Sequence, residues 1–240
     1  MTTDGDVTVY TNRSTHPVEF LTRNDTNDAA LVVGIIGADE YGLGALPRLS
    51  GVAIDIGAHI GTVALALAVD HPDLRVIAVE VVPENVEVLR ANVIHNKLEG
   101  RVQVIEAAAA APGDETVEVL WGYRTAGTSQ TLDQAYVDDS RFIANIFDKY
   151  DSDGDTHTVK AVSLDQIMDG IDRVALLKID CEGCEWAFLR SPRVADCDRI
   201  IGEFHNEDGL AGITRLLGAT HEVKQTGGAS DIGTFLAVAR

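Results

Sequence analysis

Residues 52–62 read VAIDIGAHIGT, and this stretch decides the fold. The apolar run over 52–57 predicts a buried strand, and GTVALALAVD over 61–70 predicts a helix directly after it. Gly57 and Gly61 lie in the turn, where the absence of a Cβ lets the backbone bend tightly and approach a ligand. The N-terminus of the helix adds unpaired N–H donors. The stretch therefore predicts a ligand-binding turn at the carboxyl end of a strand.

The alternation of strands and helices continues toward the C-terminus. Near-continuous apolar runs, typical of parallel strands covered on both faces, predict further strands at 75–80, 102–108, 174–180 and 199–205. A helix that begins at Pro83 loses no hydrogen bond to the proline, and another helix is predicted over 207–218. Two final strands, HEVKQ and TFLAVA, close the sheet. The predicted fold class is α/β, a three-layer α-β-α Rossmann-like domain.

Two segments are expected to cover the binding site. Residues 1–50 form a predicted N-terminal annex of short strands and a helix. The core is expected over 51–240, with an excursion or lid over 114–160. Within the excursion, TVEVLWGY at 116–123 reads as an antiparallel strand, and residues 132–157 carry seven aspartates around a small apolar patch.

Composition excludes several classes of function. The chain has 240 residues, 45% of them apolar, which is enough for one large buried core. Its 38 acidic and 19 basic side chains give a formal net charge of −19, whereas DNA, RNA and anionic membranes require a basic surface. No apolar run is long enough to span a membrane and the first residues lack a secretory pattern, so we expect a cytoplasmic location. The expected partner is a small-molecule substrate, and the sequence leaves open whether the chain forms a homo-oligomer.

Two carboxylates at strand ends indicate the chemistry of the ligand. Glu80 ends the second strand and is expected to accept both hydroxyls of a ribose, as in dinucleotide-binding folds. The glycine spacing differs from a dinucleotide motif, and Asp55 would repel a pyrophosphate. Asp55 would instead attract the ammonium group of a methionine moiety, through a bond worth about 1.5–3 kcal/mol. Glu80 suits either cofactor, whereas the glycine spacing and Asp55 favour S-adenosylmethionine (SAM) over a nicotinamide cofactor.

The chain resembles the FkbM-type SAM-dependent methyltransferase family over residues 25–240. The motifs that carry the resemblance are VAIDIGAHIGT, VIAVEVVPENVEVLRANV, VSLDQIMDG, LLKIDCEGCEWAFL and IIGEFH. The resemblance implies a mostly parallel seven-stranded sheet with an antiparallel last strand, and SAM as cofactor with S-adenosylhomocysteine (SAH) as its product. Two features depart from the family: His59 stands where asparagine is more frequent, and Cys181 and Cys184 replace small apolar residues.

The resemblance also implies a set of cofactor contacts. Tyr41, in the segment before the glycine motif, is expected close to the cofactor. The other expected contacts lie in the glycine turn and at strand ends: Asp55, Gly57, Ala58, His59, Gly61, Thr62, Glu80, Val81, Ala107 and Asp180.

Candidate catalytic residues lie at the predicted strand ends around the same crevice. A hydroxyl acceptor must lose its proton, and we expect His205 or Glu182 to be the base, with Glu203 a further candidate. His205 has the reference pKa closest to neutral pH. Asp180 is expected nearer the methionine amine. Lys178 lies between apolar neighbours, where an unpaired ammonium is costly, so we expect it to pair with a carboxylate across the sheet.

The cysteines and one aspartate-rich loop suggest metals only weakly. Cys181, Cys184 and Cys197 make an odd number, which favours reduced, buried thiols over a disulfide framework. Structural zinc sites normally use two pairs of ligands, and the three thiols with His205 lack that pattern. The loop at 151–155, DSDGD, departs from a calcium loop at its sixth and twelfth positions. No metal is therefore expected.

The leading hypothesis is a SAM-dependent O-methyltransferase. Its acceptor would be a hydroxyl of a small neutral or cationic molecule, such as a sugar or a natural-product intermediate. The alternatives are N- or carboxyl-methylation of a small metabolite, a SAM-sensing module without turnover, and an NAD(P)-dependent oxidoreductase. Acceptor pockets in this fold follow no fixed code, so the acceptor itself is not predicted.

Overall fold

The computed structural model describes residues 7–10, 17–24, 26–121, 130–131, 155–205, 209–229 and 232–240. Most of the aspartate-rich stretch predicted at 132–157 lies outside them, and so do residues 151–154 of the loop compared with a calcium site. We number the elements in chain order. None of the helices in the described ranges is long and apolar enough to cross a membrane.

The strands follow the predicted runs to within a few residues. They are β1 Val7–Tyr10, β2 Val18–Leu21, β3 Gly51–Ile56, β4 Leu74–Glu80, β5 Val102–Glu106, β6 Ala108–Ala109, β7 Thr116–Trp121, β8 Gln130–Thr131, β9 Asp155–Val162, β10 Leu176–Ile179, β11 Arg199–His205, β12 His221–Gly228 and β13 Ile232–Ala239. The helices are α1 Asp28–Val32, α2 Thr62–Asp70, α3 Pro83–His95, α4 Leu164–Ile167, α5 Glu185–Phe188 and α6 Gly209–Leu217. A π-helical turn, Val33–Gly37, continues α1, and two short 3-10 helices lie at Leu43–Ala45 and Pro192–Asp196.

The main sheet has seven strands in the order β12-β13-β11-β10-β3-β4-β5. The five strands from β11 to β5 are parallel to one another, and β13 runs antiparallel to both of its neighbours. Parallel neighbours require crossover connections, which α2 and α3 supply on the carboxyl side of β3 and β4. The predicted α/β fold, with an antiparallel last strand, is confirmed.

Both faces of the sheet are buried, because successive side chains of a strand point to opposite sides. In β3, Ala53 packs in one apolar cluster and Ile54 in the other. Helix α2 covers the first cluster, and its residues from Thr62 to Ala68 are all buried. The second cluster includes Phe188 and Phe204. The carboxyl ends of the parallel strands are thereby held along one edge, which forms the predicted crevice.

The N-terminal residues pack on the core through α3. Asn92 accepts a hydrogen bond from the Leu21 N–H at 2.6 Å, and Asn96 accepts one from the Glu19 N–H at 3.0 Å. Phe20 is fully buried between these contacts. The strand β2 and the helix α1 therefore lead the chain toward the crevice, although the predicted annex boundary at residue 50 stays a prediction.

A second, four-stranded sheet with the order β6-β9-β7-β8 follows β5. The predicted strand at 116–123 is β7, which pairs antiparallel with both β8 and β9. Helix α4 then begins at a capping box, in which Ser163 and Gln166 satisfy each other's backbone N–H groups. The chain returns through α4 to β10 at the centre of the main sheet.

Candidate active site

A cavity opens at the carboxyl ends of β3, β4 and β10. Between β3 and β10 the chain changes direction across the sheet, and parallel sheets bind ligands at such a point. The cavity measures about 1010 Å³ with its open mouth included. It is lined by most of the residues predicted from the sequence: Tyr41, Gly57, Ala58, His59, Thr62, Glu80, Val81, Ala107, Asp180 and Glu182.

Two groups of lining residues face each other across this cavity. We call Gly57, Ala58, His59, Thr62 and Glu80 the glycine wall. We call Asp180, Glu182 and Glu203 the acidic wall. Three predicted site residues do not line the cavity: Asp55, Gly61 and His205 lie behind these walls.

Asp55 forms a buried ion pair instead of facing the cavity. The strand register places Lys178 of β10 beside Asp55 of β3, and the Lys178 Nζ lies 3.4 Å from Asp55 Oδ1. Both side chains are almost completely buried. The predicted pairing of Lys178 with a carboxylate is confirmed. The predicted contact between Asp55 and a ligand ammonium is corrected, because the protein's own ammonium occupies that place.

Lys178 also joins the two walls. Its ammonium donates hydrogen bonds to the carbonyl oxygens of Ile56, at 3.1 Å, and Gly57, at 2.9 Å. It lies 3.9 Å from Asp180 Oδ2. Burial acts to lower the pKa of Lys178, but the charges of Asp55 and Asp180 outweigh it and the pKa is raised. Burial raises the pKa of Asp55, and Lys178 offsets part of that rise. Lys178 therefore keeps its proton.

The glycine turn has left-handed backbone at three positions. Gly57, His59 and Gly61 have φ values of 71°, 51° and 93°. A Cβ at Gly57 would lie 1.7 Å from the carbonyl oxygen of Asp180, and one at Gly61 would lie 2.4 Å from Leu89 Cδ1. The glycines were expected to make room for a ligand. In the structure they make room for neighbouring parts of the chain: Gly57 lets the two walls approach each other, and Gly61 lets the turn pack against Leu89.

Glu80 holds the glycine turn in place. Its carboxylate accepts the His59 N–H at 2.8 Å and the Val82 N–H at 2.9 Å, and the Asn85 side chain donates to it at 3.3 Å. A carboxylate has about four lone-pair sites, so these bonds leave about one for a ligand. The expected contact between Glu80 and the hydroxyls of a ribose stays a prediction.

His59 connects the glycine wall to the N-terminal annex. Its Nε2 lies 3.2 Å from Asp28 Oδ1, and Arg23 bonds the same carboxylate through its Nε and Nη2. Burial acts to raise the pKa of Asp28, but the bonds from His59 and Arg23 lower it well below the usual range. Thr62 Oγ1 is buried on the same wall and has no hydrogen-bond partner among the described residues.

Tyr41 closes the cavity above the acidic wall. Its hydroxyl donates to Asp180 Oδ2 at 2.5 Å, and its ring lies 5.5 Å from the Lys178 ammonium. Burial and the neighbouring Asp180 charge raise the pKa of Tyr41, which keeps the phenol protonated as a donor. Asp180 itself is partly exposed to the cavity, in keeping with its predicted position near a ligand amine.

His205 lies behind the acidic wall among carboxylates. Its Nδ1 is 3.0 Å from Glu185 Oε1, and its Nε2 is 3.4 Å from Glu182 Oε2 and 3.8 Å from Glu203 Oε2. Burial acts to lower the pKa of His205, but Glu185 and Glu182 raise it to about 10. An imidazolium has no lone pair with which to accept a proton. This arrangement therefore does not favour His205 as the base, and it makes His205 the cation that holds the wall together.

The two glutamates of the acidic wall ionise near neutral pH. Burial, with the charges of Asp180 and Glu185, raises the pKa of Glu182 to about 8, against an opposing effect of His205. Burial and Asp180 raise the pKa of Glu203 to about 7. Both carboxyl groups line the cavity. They are therefore the groups best placed to exchange a proton with a bound molecule.

One set of side chains has the spacing of a metal site. Among the described residues, Asp180, Glu203 and His205 bring one candidate ligand atom each within 4.8 Å of the others. A metal ligand histidine must be neutral, so an ion at this place would have to displace the proton that Glu185 and Glu182 hold on His205 by raising its pKa. In the present arrangement the imidazolium provides the positive charge that a metal ion would supply.

Cys181 and Cys184 form a disulfide, with their Cα atoms 5.5 Å apart. The expectation of reduced thiols is wrong for this pair, because the turn between them brings the two side chains together. A zinc site built on all three cysteines is not compatible with this bond. Cys197 is free and buried, and burial raises its pKa to about 12.

Several lining residues were not predicted from the sequence. Leu31 and Ile35 line the cavity from α1 and the π-helical turn, and their spacing of four residues on the segment before Tyr41 was the available signal. Glu40 also lines it, and burial and Asp180 raise its pKa. Cys181 and Lys178 are further lining residues that were not predicted, and so are the apolar residues Ile56, Val63, Val79, Ala108 and Ala109.

Comparison with known proteins assigns the chain to a family. The model of the methyltransferase FkbM domain matches residues 55–223, from the end of β3 into β12. The 31-O-demethyl-FK506 methyltransferase FkbM of Streptomyces tacrolimicus is 28% identical over 192 residues, which cover 69% of each chain.

Solved structures of methyltransferases are also similar. Precorrin-6y C5,15-methyltransferase from Geobacter metallireducens is 12% identical with a TM-score of 0.49, over 92% of this chain and 91% of that one. An O-methyltransferase from Bacillus cereus in complex with SAH is 15% identical with a TM-score of 0.42, over 79% and 74%. Because the family model covers more than half of the sequence, the chain belongs to the FkbM methyltransferase domain family and is a SAM-dependent methyltransferase.

Proposed function

We propose that this methyltransferase transfers the methyl group to a hydroxyl of a small molecule, such as a sugar or a natural-product intermediate. The observation that carries the proposal is the pair of cavity-lining carboxyl groups, Glu182 and Glu203, whose pKa values are raised to about 8 and about 7. A hydroxyl acceptor must give up a proton, and a base is most effective when its pKa lies near the working pH. The printed name of the Streptomyces tacrolimicus relative describes an O-methylation as well.

The lining residues fit SAM. Thr62 Oγ1 is a buried polar atom on the cavity wall without a hydrogen-bond partner among the described residues, and it is therefore available to a ligand. We assign the ligand ammonium to Asp180, in the place expected of Asp55. The remaining lone pair of Glu80 accepts one ribose hydroxyl. When bound, SAM supplies the methyl group from a sulfonium cation, which suits the negative charge of the acidic wall.

We assign proton removal to the acidic wall. Glu203 has the pKa closer to neutrality, so it is the first to ionise and accepts the proton of the acceptor. Glu182, the base expected from the sequence, is the second carboxyl group at the same imidazole nitrogen. His205 orients both carboxyl groups through its Nε2, while Glu185 fixes the ring from the Nδ1 side. Tyr41 and Lys178 hold Asp180 in place from the other side.

Calorimetry with SAH, followed by incubation with labelled SAM and a panel of acceptors, tests the proposal. The panel contains hydroxylated, aminated and carboxylated metabolites, and we expect product from the hydroxylated ones. Transfer only to amines or carboxylates would replace the proposal by N- or carboxyl-methylation. SAH binding without transfer to any acceptor would indicate a SAM-sensing module. Family membership disfavours the oxidoreductase alternative.

A matched pair of variants tests the base. We expect Glu203→Gln to lower kcat by about a hundredfold or more, while the affinity for SAH changes little. Glu222→Gln is the control, because Glu222 is exposed on β12 away from the cavity. The wild-type rate should rise with pH through about 7, where Glu203 ionises. An unchanged rate and pH profile in Glu203→Gln would remove Glu203 from the mechanism and leave Glu182 to be tested in the same way.

A further inference from the structure

We propose that Cys181 and Cys184 form a reversible thiol–disulfide site, which controls methyl transfer by holding Glu182 in its position. The inference rests on the proposed function for its effect on turnover. The two cysteines bracket Glu182 in the sequence, and they are bonded in the structure. Cys181 lines the same cavity as Glu182 and Glu203. The disulfide therefore lies within the wall that carries the proposed base.

The turn that the disulfide closes has an unfavourable backbone. Glu182 has a φ of 52° and Gly183 a φ of 110°, so two successive residues are left-handed. A residue with a Cβ adopts this region only when its surroundings enforce it. A covalent bond between the residues on either side of this pair enforces it directly. Without the bond, non-covalent contacts alone oppose the relaxation of Glu182 toward the right-handed region.

Within the described part of the chain, hydrogen bonds hold the base of the turn, whereas the Glu182 side chain is held by an ion-pair contact. The Glu185 carboxylate accepts the Cys181 N–H at 3.3 Å and the Gly183 N–H at 2.9 Å. Glu182 Oε2 reaches His205 Nε2 at 3.4 Å. Opening the disulfide leaves the bonds to Glu185 available, so the turn stays attached. The position of Glu182 relative to His205 is what the disulfide determines.

The two sulfurs differ in exposure, and this fixes the site of attack. Cys184 is 2% exposed, whereas Cys181 is partly exposed on the cavity wall. A thiolate of a small dithiol attacks Cys181 Sγ, the bond between the cysteines breaks, and the Cys184 thiolate leaves and takes up a proton. The second thiol of the reagent closes its own disulfide and releases Cys181. The protein disulfide gains two electrons, the dithiol loses two, and a low-molecular-weight disulfide reverses the reaction.

The bond itself is tested first, without any acceptor. We expect alkylation of denatured protein that was equilibrated with oxidised dithiothreitol to label one thiol, that of Cys197, and to label all three after reduction. SAH should slow the reduction, because Cys181 lies on the wall of the cofactor cavity. Three labelled thiols in the oxidised sample would overturn the inference. So would a rate of reduction that SAH leaves unchanged.

The position of Glu182 is tested next by a signal that does not need turnover. Reduction should lower the pKa of His205, measured by NMR titration of the imidazole, because Glu182 is one of the groups that raise it. Glu182→Gln should show the lower value in both redox states. An identical titration of the oxidised and reduced wild type would show that the disulfide does not position Glu182. These measurements stand even if no acceptor is found, in which case only the proposed function fails.

Turnover provides the last readout. We expect reduction to lower kcat by about tenfold, with the affinity for SAH nearly unchanged, because a displaced Glu182 disturbs His205, which orients the proposed base Glu203. Reoxidation should restore the rate. The double variant Cys181→Ser/Cys184→Ser should behave like the reduced enzyme under both conditions, and Cys197→Ser should keep the full response. Equal rates in the oxidised and reduced wild type would overturn control by this site.

Discussion

The two walls of the cavity are built by different kinds of interaction. The glycine wall is a backbone structure: its turn is fixed by left-handed residues and by N–H groups that Glu80 accepts. The acidic wall is an arrangement of charged side chains around one imidazole, and two of its carboxyl groups have pKa values near neutrality. The glycine wall therefore depends on chain geometry, whereas the acidic wall depends on charge balance and hence on pH. Four changes test this contrast.

The largest effect is expected for Lys178, which connects the walls. Lys178→Met removes the ammonium and leaves the fully buried Asp55 without its ionic partner. Removing one member of a buried pair costs about 3–5 kcal/mol of folding free energy. The double variant Asp55→Asn/Lys178→Met carries no uncompensated charge and should recover much of the loss. Urea denaturation measures both, and a double variant no more stable than Lys178→Met would contradict this account.

Gly57→Ala should be nearly as damaging, because the new Cβ would lie 1.7 Å from the Asp180 carbonyl oxygen. The substitution pushes one wall against the other and places alanine in a left-handed conformation. We expect a loss of about 3 kcal/mol and loss of SAH binding. Gly100→Ala is the control, since a Cβ there has no neighbour within 4 Å. Similar urea midpoints for the two variants would show that the close approach is not needed.

Glu80→Ala tests whether the glycine wall depends on its single carboxylate. The variant leaves the His59 and Val82 N–H groups without their acceptor, so the turn loses its support. Bonds to a charged group are worth about 1.5–3 kcal/mol, which predicts a loss of about tenfold to a hundredfold in SAH affinity. Glu106→Ala is the matched control, because Glu106 lies opposite Glu80 on β5 but is exposed. Calorimetry with SAH measures both variants. An equal loss of affinity in Glu80→Ala and Glu106→Ala would contradict the prediction.

The last change, Glu182→Gln, leaves the chain geometry intact, and its expected effect is on the pH dependence of stability. The folded pKa of Glu182 is raised from 4.5 to about 8, so folding stabilises its protonated form. That contribution is complete below pH 4.5 and is lost as the pH rises through about 8. The variant has no such group. Its stability relative to wild type should therefore increase over this range in thermal unfolding, and a constant difference would contradict the raised pKa.

The glycine wall could be predicted from the sequence because its residues lie in one turn and at the end of the next strand. The turn at Gly57 and Gly61, the strand before it and Glu80 at the end of the next strand follow from local spacing. The partner of Asp55 was harder to assign, because it depends on the register between β3 and β10. The pairing of Lys178 could be predicted from its apolar neighbours, but not that Asp55 would be the carboxylate.

The sequence predicted which residues lie at the acidic wall, but not which of them carry a proton. Asp180, Glu182, Glu203 and His205 end strands that share one edge of the sheet, and this much follows from the strand pattern. The reference pKa of His205 suggested a base, whereas Glu185, Glu182 and Asp180 raise its pKa and keep it protonated. Such a reversal depends on distances of 3 to 4 Å, which no spacing along the chain specifies. The disulfide of Cys181 was missed for the same reason.

The pair formed by Asp55 and Lys178 has a consequence for how this protein can diverge. Either residue alone would place an unpaired charge in the interior and destabilise the folded state, whereas the two together form an ion pair. A lineage that carries both would reach a different arrangement only through simultaneous replacement, or through a poorly folded intermediate. The pair should therefore persist or disappear as a unit among descendants, even where the acceptor has changed.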